Sequence, residues 1–259
     1  MKHSTAHTLT TTHRRDWKPT LMCALLPLAL LAPGLAGAAN WEIDPVRIEL
    51  SPAQQTAAIT LKNTSEQPTS VQIQVVEWSQ LDGKDVYTSS RELLVSPPIV
   101  NIPAGGEQVI RAALRRSADA SKELSYRIHL QELPPPPAPG FTGVQVALRI
   151  GLPVFVQAQT GTAAPKMAWS LQRMPNDQIK VVLKNQGNAH VQVTDFTLYA
   201  PGADSALASE SGSKYVMAGQ SHEWLLKTPP ALKTADGQFR LKAITDAGDV
   251  DAQLVLGQP

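Results

Sequence analysis

The residues of this chain best suited to a binding chemistry are four aliphatic side chains spaced two apart. They are Val144, Val146, Leu148 and Ile150, which we call the apolar row. Side chains two apart share one face of a strand, so the spacing predicts a strand with one apolar face. Such a face must be covered. Either this face belongs to the protein's own core, or it lies near a sheet edge and can offer a strand to another polypeptide.

Residues that could carry catalysis or hold a metal do not form a recognisable pattern. The histidines beyond the amino-terminal region are far apart in sequence: His129, His190 and His222. No metalloprotease, paired-cysteine, nucleophile-elbow or phosphate-loop signature is present. Three aspartates near the end, in the stretch 245–251, depart from the calcium-loop pattern and are better explained as a polar turn between two strands. We therefore expect no metal, no cofactor and no enzymatic activity.

The overall charge excludes partners that bind through long-range electrostatics. The chain has 23 basic and 22 acidic residues, a formal net charge of +1. This balance gives no field that would attract nucleic acid or an acidic membrane surface. Hydrophobic residues make up 42% of the chain, which is adequate for the buried cores of one large domain or two ordinary ones.

Residues 1–38 have the pattern of a cleaved secretory signal. Basic residues precede the apolar run Leu21–Leu31, and Ala36-Gly37-Ala38 supplies the small side chains that a signal peptidase requires. We expect cleavage after Ala38 or Ala39. The apolar run is too short to span a bilayer, so no membrane insertion is expected. The only cysteine, Cys23, lies within this run, so the secreted protein would have no thiol and each domain would depend on its own core.

Period-two alternation dominates the rest of the chain and predicts an all-β fold. The alternating sets are Val46, Ile48, Leu50; Val71, Ile73, Val75; and Tyr126, Ile128, Leu130. Turn-forming residues separate these runs at short intervals, as in β-sandwiches. Only Ser117–Leu124 is compatible with a short helical turn.

A weak internal repeat predicts two domains of one kind. Residues 59–63, a polar turn and residues 71–73 match residues 181–185, a polar turn and residues 191–193. The polar stretch 157–166 interrupts two apolar patterns and marks the boundary. We therefore expect domains at 39–158 and 159–259.

Four segments carry a family resemblance. Residues 44–52, 93–111, 126–137 and 144–156 resemble, in this order, the periplasmic chaperones of chaperone/usher pilus systems, and in particular their divergent, archaic or alternative branch. The resemblance implies two immunoglobulin-like β-sandwich domains joined at an angle with a cleft between them. This chain departs from several members of the family because it has no cysteine pair in the second domain.

The resemblance also implies a function and partners. Such chaperones bind pilin subunits in the periplasm by lending a strand, and they deliver the subunits to an outer-membrane usher. In that interpretation the apolar row fills the subunit's incomplete sandwich, and the prolines at 134–137 and 139 suit the loop before it.

The family holds the subunit's terminal carboxylate with basic residues in the cleft, which arginine can bind through two parallel hydrogen bonds. Arg47 corresponds to the first of these by its place in DPVRIEL. For the second, Arg149 and Arg127 are both candidates, because the usual lysine position falls on Gly151 or Pro153. Any of the three arginines is otherwise explained as a solvated residue or an interdomain ion pair.

Two other functions remain open at this point. The chain is alternatively an extracellular two-domain adhesion or binding module whose apolar row is simply core. A secreted hydrolase on a sandwich scaffold lacks any supporting acid, base or nucleophile.

Overall fold

The computed structural model describes residues 41–137, 139–175, 178–228 and 237–257. These ranges contain strands and no helix, which confirms the predicted all-β class. The short helical turn predicted at Ser117–Leu124 is wrong, because the Asp119 carboxylate accepts hydrogen bonds from the backbone N–H groups of Ser121 and Lys122 and bends the chain instead. The predicted signal, residues 1–38, lies outside the described residues.

Ten strands form the first sandwich. They are β1 (Trp41–Asp44), β2 (Ile48–Leu50), β3 (Thr56–Asn63), β4 (Thr69–Leu81), β5 (Lys84–Ser89), β6 (Leu93–Ser96), β7 (Ile99–Ile102), β8 (Glu107–Leu114), β9 (Leu124–Glu132) and β10 (Arg149–Val156). One sheet has the order β1-β3-β8-β6, and the other has the order β2-β10-β9-β4-β5 with β7 also pairing β4. Alternate residues of both sheets point inward and make one core, as in immunoglobulin-like domains.

Seven strands form the second sandwich. They are β11 (Met167–Met174), β12 (Gln178–Asn185), β13 (Val191–Tyr199), β14 (Ala206–Val216), β15 (Ser221–Lys227), β16 (Gln238–Thr245) and β17 (Val250–Gly257). Their order is β14-β13-β16-β17-β11-β12-β15, in which a short parallel contact between β11 and β17 joins the two layers. β16 and β17 form a hairpin, as predicted for the aspartate-rich stretch. A second core lies between the layers.

The chain passes from one sandwich to the other between β10, which ends at Val156, and β11, which begins at Met167. The polar stretch 157–166 forms this connection. We retain 39–158 and 159–259 as the proposed limits of the two domains.

The internal repeat places a buried asparagine at the corresponding point of each sandwich. Asn63 ends β3 and Asn185 ends β12, and both are fully buried. The amide of Asn63 donates to the carbonyls of Gln67, Ile102 and Pro103, and that of Asn185 donates to the carbonyls of Ala189 and Val216. Each amide therefore satisfies buried carbonyls where the chain leaves a strand.

Candidate functional site

The apolar row is divided between the core and the solvent. Ile150 lies in β10 and packs against the first core, and Leu148 is half-buried. Val146 and Val144 are 81% and 88% exposed, the highest values among the large hydrophobic side chains described. The row continues the inward face of β10 beyond the sandwich, because Leu152, Val154 and Val156 on the same alternation are buried.

The strand predicted from residue 144 begins only at Arg149. In the register of β10 with β9, Arg149 is opposite Gln131, so residues 144–146 would be opposite Pro134–Pro136. Proline has no N–H to donate to a ladder, so pairing stops there. Leu148 makes the last backbone hydrogen bonds, because its carbonyl accepts from the N–H of Glu132 at 2.8 Å and its own N–H donates to the Glu132 carboxylate at 3.0 Å. Beyond it, the side chain of Gln145 donates to the Pro135 carbonyl, at 2.9 Å. The two exposed valines are therefore left outside the sheet.

The outer side of β10 is an open edge over most of its length. β10 pairs with β9 from Arg149 to Val156, but it pairs with β2 only at Val154–Val156. Over residues 149–153 no described strand lies on that outer side. Unpaired backbone groups at such an edge can accept another chain. The edge leads directly into the exposed end of the apolar row.

Arg47 lies at the point where the open edge of β10 ends. It immediately precedes Ile48, which pairs with Val154. Its guanidinium contacts Glu49 at 2.6 Å and Asp246 at 2.8 Å, and its side chain is 32% exposed. Burial alone would lower the pKa of Arg47, but its hydrogen bonds to the two carboxylates outweigh burial and raise it. Because Asp246 belongs to the second sandwich, the ion pair of Arg47 joins the two domains. This agrees with the alternative interpretation of Arg47 as part of an interdomain ion pair.

Arg127 approaches the same point from the neighbouring strand. It is opposite Pro153 in the pairing of β9 with β10. Its guanidinium carbon lies 3.9 Å from the centre of the Trp78 ring, and its Nη1 donates to the Tyr87 hydroxyl at 2.9 Å. Among the described residues it forms no ion pair with a carboxylate. Arg127 is therefore a cation held by aromatic groups.

Gly151 makes room for the Arg127 side chain. A Cβ added at Gly151 would lie 2.9 Å from Cδ of Arg127 and 3.3 Å from Cδ2 of His129. Because Gly151 of β10 has no side chain, the side chain of Arg127 from β9 can pack over it. The third candidate, Arg149, is exposed and its Nη2 lies 2.7 Å from Nδ1 of His129. The structure brings Arg47 and Arg127 to either side of Pro153, and Arg149 lies four residues earlier on β10.

A protein-family profile described as "Pili and flagellar-assembly chaperone, PapD N-terminal domain" matches residues 40–160. Residues 40–160 therefore have the sequence pattern of this chaperone domain. The match covers the first sandwich, including the open edge of β10 and the candidate arginines of the pilus-chaperone domain. The family is one of chaperones and not of enzymes.

Curated relatives of this pilus-chaperone domain include the probable fimbrial chaperone EcpB of Escherichia coli K12. It is 32% identical over 107 residues, which make up 40% of this chain and 48% of EcpB. The chain spans about half the length of the curated relatives it matches.

Solved structures extend the likeness to both sandwiches. A chain of the CsuC–CsuE chaperone–tip adhesion subunit pre-assembly complex, from archaic chaperone-usher pili of Acinetobacter baumannii, has a TM-score of 0.62 at 22% identity. It covers 85% of this chain and 100% of its own length. The E. coli chaperone DraB has a TM-score of 0.54 at 19% identity, covering 83% and 99% of the two chains. These likenesses show the two-domain immunoglobulin-like fold.

Sequence reasoning missed the residues that join the two sandwiches. Trp78 and Phe155 of the first sandwich pack with Tyr215 and Met217 of the second. Gln80, at the end of β4, donates to the Tyr215 carbonyl at 2.8 Å and accepts from the Met217 N–H at 3.0 Å. Its side-chain amide therefore pairs with the backbone at the end of β14 as another strand would. Alternation cannot reveal such contacts, because it describes one strand at a time.

His190 was noted in the sequence but not connected with the arginines. Its ring stacks on Phe155 at 3.5 Å between ring centres, and its Nδ1 lies 2.6 Å from the Glu123 carboxylate. A cavity of about 300 Å³ lies beside this stack, lined in part by Glu49, Glu123 and His190. The histidine thus links the start of β9 to the second domain.

The described residues contain no group of three or more His, Cys, Asp or Glu side chains placed to hold a metal ion. No helix with the length and apolar character of a membrane span occurs among them either.

Proposed function

We propose that this protein is a periplasmic chaperone that binds pilin subunits by lending them the apolar row and the open edge of β10. The observation that carries the proposal is the exposure of Val144 and Val146 directly in line with an unpaired strand edge. A protein whose strand served only its own core would bury those side chains. The adhesion-module alternative is therefore less well supported.

Strand addition would pair the free backbone groups and cover the exposed apolar side chains of both partners. A pilin that lacks a strand has unpaired backbone groups and an apolar groove. Residues 149–153 offer the backbone groups, and the apolar row offers side chains at every second position. Covering Val144 and Val146 would contribute about 1.5–3 kcal/mol each before the cost of ordering the segment.

The two arginines beside Pro153 are the proposed anchor for the subunit's terminal carboxylate. Arg127 supports this role because it has no carboxylate partner among the described residues and is held in place by Trp78 and Tyr87. Arg47 already contacts two carboxylates, so a subunit would share or displace them. Arg149, near the free part of the row, remains a weaker candidate.

No covalent step and no nucleotide is required in this scheme. A subunit would leave when the extension of a neighbouring subunit replaces the lent strand at an outer-membrane usher. We also propose that residues 1–38 direct the chain to the periplasm as a cleaved signal.

Co-expression with a pilin subunit tests the proposal. The double variant Val144→Ser/Val146→Ser should lose pilin binding by roughly tenfold or more, since two buried valines are removed from the complex. Its urea-unfolding midpoint should stay unchanged because both side chains are exposed. Val255→Ser, an exposed valine of the second domain, is the matched control and should bind normally. If the double variant binds pilin as the wild type does, the proposal is wrong.

A further inference from the structure

One oxygen atom of Asp246 lies close to two basic side chains, Arg47 and His190. Asp246 lies in the turn between β16 and β17, and its Oδ1 is fixed by the backbone N–H of Gln192 at 2.8 Å. Its Oδ2 lies 2.8 Å from Nη1 of Arg47 and 3.4 Å from Nε2 of His190. A titratable group and the proposed carboxylate anchor are therefore linked through a single atom.

The surroundings of His190 favour its charged form. Burial alone would lower the pKa of His190, but the hydrogen bond between its Nδ1 and Glu123 and the negative charges of Glu123 and Asp246 raise it. The charged and titratable groups facing it come from several elements: Glu123 before β9, Asp246 after β16, Tyr215 of β14 with ring centres 5.6 Å apart, and Glu49 across the cavity. The adjacent carboxylates make protonation of this buried ring possible.

We propose that His190 and Arg47 compete for the Oδ2 atom of Asp246, so that protonation of His190 strengthens the hold of Arg47 on an incoming carboxylate. The inference rests on the proposed function, and it assigns to His190 a positioning role that acts through Asp246.

The direction follows from charge balance. When His190 is neutral, Asp246 compensates Arg47 and repels a second carboxylate. When His190 is protonated, it compensates Asp246 and both effects weaken. By linkage, a carboxylate bound at Arg47 must in turn favour protonation of His190. Binding of a subunit's terminal carboxylate should therefore tighten as the pH falls through the pKa of His190.

Titration of the His190 ring by NMR in the free protein tests the coupling directly. Arg47→Ala should raise the pKa of His190, because Asp246 is then left to the histidine alone. Asp246→Asn should lower it, because the negative charge is lost. Arg149→Ala is the control and should leave it unchanged, since Arg149 contacts His129 instead. An unchanged His190 titration in Arg47→Ala and in the milder Arg47→Gln would overturn the inference.

Binding of a synthetic peptide tests the consequence. The probe is an alternating valine–serine peptide of about twelve residues with a free carboxyl terminus, long enough to run beside residues 143–153. The wild type should bind it roughly three- to tenfold more tightly at about pH 5.5 than at about pH 8.5. His190→Gln should remove that ratio, and His222→Gln, a histidine of β15, should retain it.

The outcomes separate the two proposals. Peptide binding with the same pH ratio in His190→Gln would overturn the role of His190 and leave strand lending intact. An equal ratio for the carboxyl-terminal amide of the peptide would also overturn it, because no carboxylate is then involved. No binding at either pH would overturn strand lending as well.

Discussion

At the scale of single residues, two buried asparagines fix the path of the chain. Asn63 and Asn185 each satisfy two or more carbonyls and also accept backbone hydrogen bonds, from Ser65 to Asn63 and from Lys166 and Gly187 to Asn185. Buried polar groups left without partners cost more than the bonds themselves contribute. The two residues therefore fix how the chain leaves β3 and β12.

We expect Asn63→Ala and Asn185→Ala each to lower the free energy of unfolding by roughly 2–4 kcal/mol, because several buried groups lose their partners at once. Urea unfolding of each variant measures the loss. Asn101→Ala, which removes the exposed acceptor of a hydrogen bond from the Ser70 hydroxyl, is the control and should cost less than about 1 kcal/mol. Similar stability of all three variants would contradict the importance of the buried amides.

The sequence was sufficient to locate a residue where the signal was a local motif or repeat. The repeat located both asparagines without showing that they are buried, and DPVRIEL located Arg47. The position of Arg127 depends on Gly151 of another strand and on Trp78 and Tyr87 of two more. A choice between Arg127 and Arg149 therefore requires the register of four strands, which one sequence does not specify.

At the scale of elements, β10 combines two roles along one alternation. Leu152, Val154 and Val156 are core of the first sandwich, and the residues before Arg149 lie outside the sheet. The sequence predicted the alternating face but extended the strand too far. The reason is that the end of a strand depends on its partner, and here the partner continues into prolines.

This division predicts that two similar substitutions change the free energy of unfolding by very different amounts. Leu152→Ala should reduce the free energy of unfolding by about 2–5 kcal/mol, because it opens a cavity in the core. Val146→Ala should change it by less than about 0.5 kcal/mol, because the side chain is exposed. Urea unfolding compares the two. A large loss for Val146→Ala would show that the row is sealed within its own domain.

At the scale of the whole molecule, the joint between the sandwiches is both apolar and charged. Gln80 and the Trp78 cluster provide the uncharged contacts, and Arg47, Asp246 and His190 provide the charged ones. The sequence predicted two domains of one kind, and the fold confirms two immunoglobulin-like sandwiches. Their mutual contacts were beyond prediction because they join residues of different strands that are far apart in sequence, in several cases by more than a hundred positions.

The charged part of the joint makes stability depend on pH. The raised pKa of His190 means that its stabilising contribution is complete below its ordinary pKa of 6.5 and is lost as the pH rises through the folded value. Burial alone would raise the pKa of Asp246, but hydrogen bonds from Gln192 and Arg47 and the nearby charge of His190 lower it, so its contribution is lost only in stronger acid.

We therefore expect the stability difference between wild type and His190→Gln to be larger at about pH 6 than at about pH 8.5. Urea unfolding of both proteins at each pH measures it. Comparison with this variant is needed because His129 and His222 have lowered pKa values, caused mainly by burial, and titrate in the opposite sense. A difference that grows with pH would contradict the assignment.

Amide hydrogen exchange of residues 141–150, in the free protein and in its complex with a pilin, tests strand lending most directly. In the free protein these amides should exchange rapidly up to Ala147, because none of them pairs with a described strand. In the complex they should become protected, in an alternating pattern typical of a strand edge. Protection already present in the free protein, or rapid exchange that persists in a stable complex, would contradict the account.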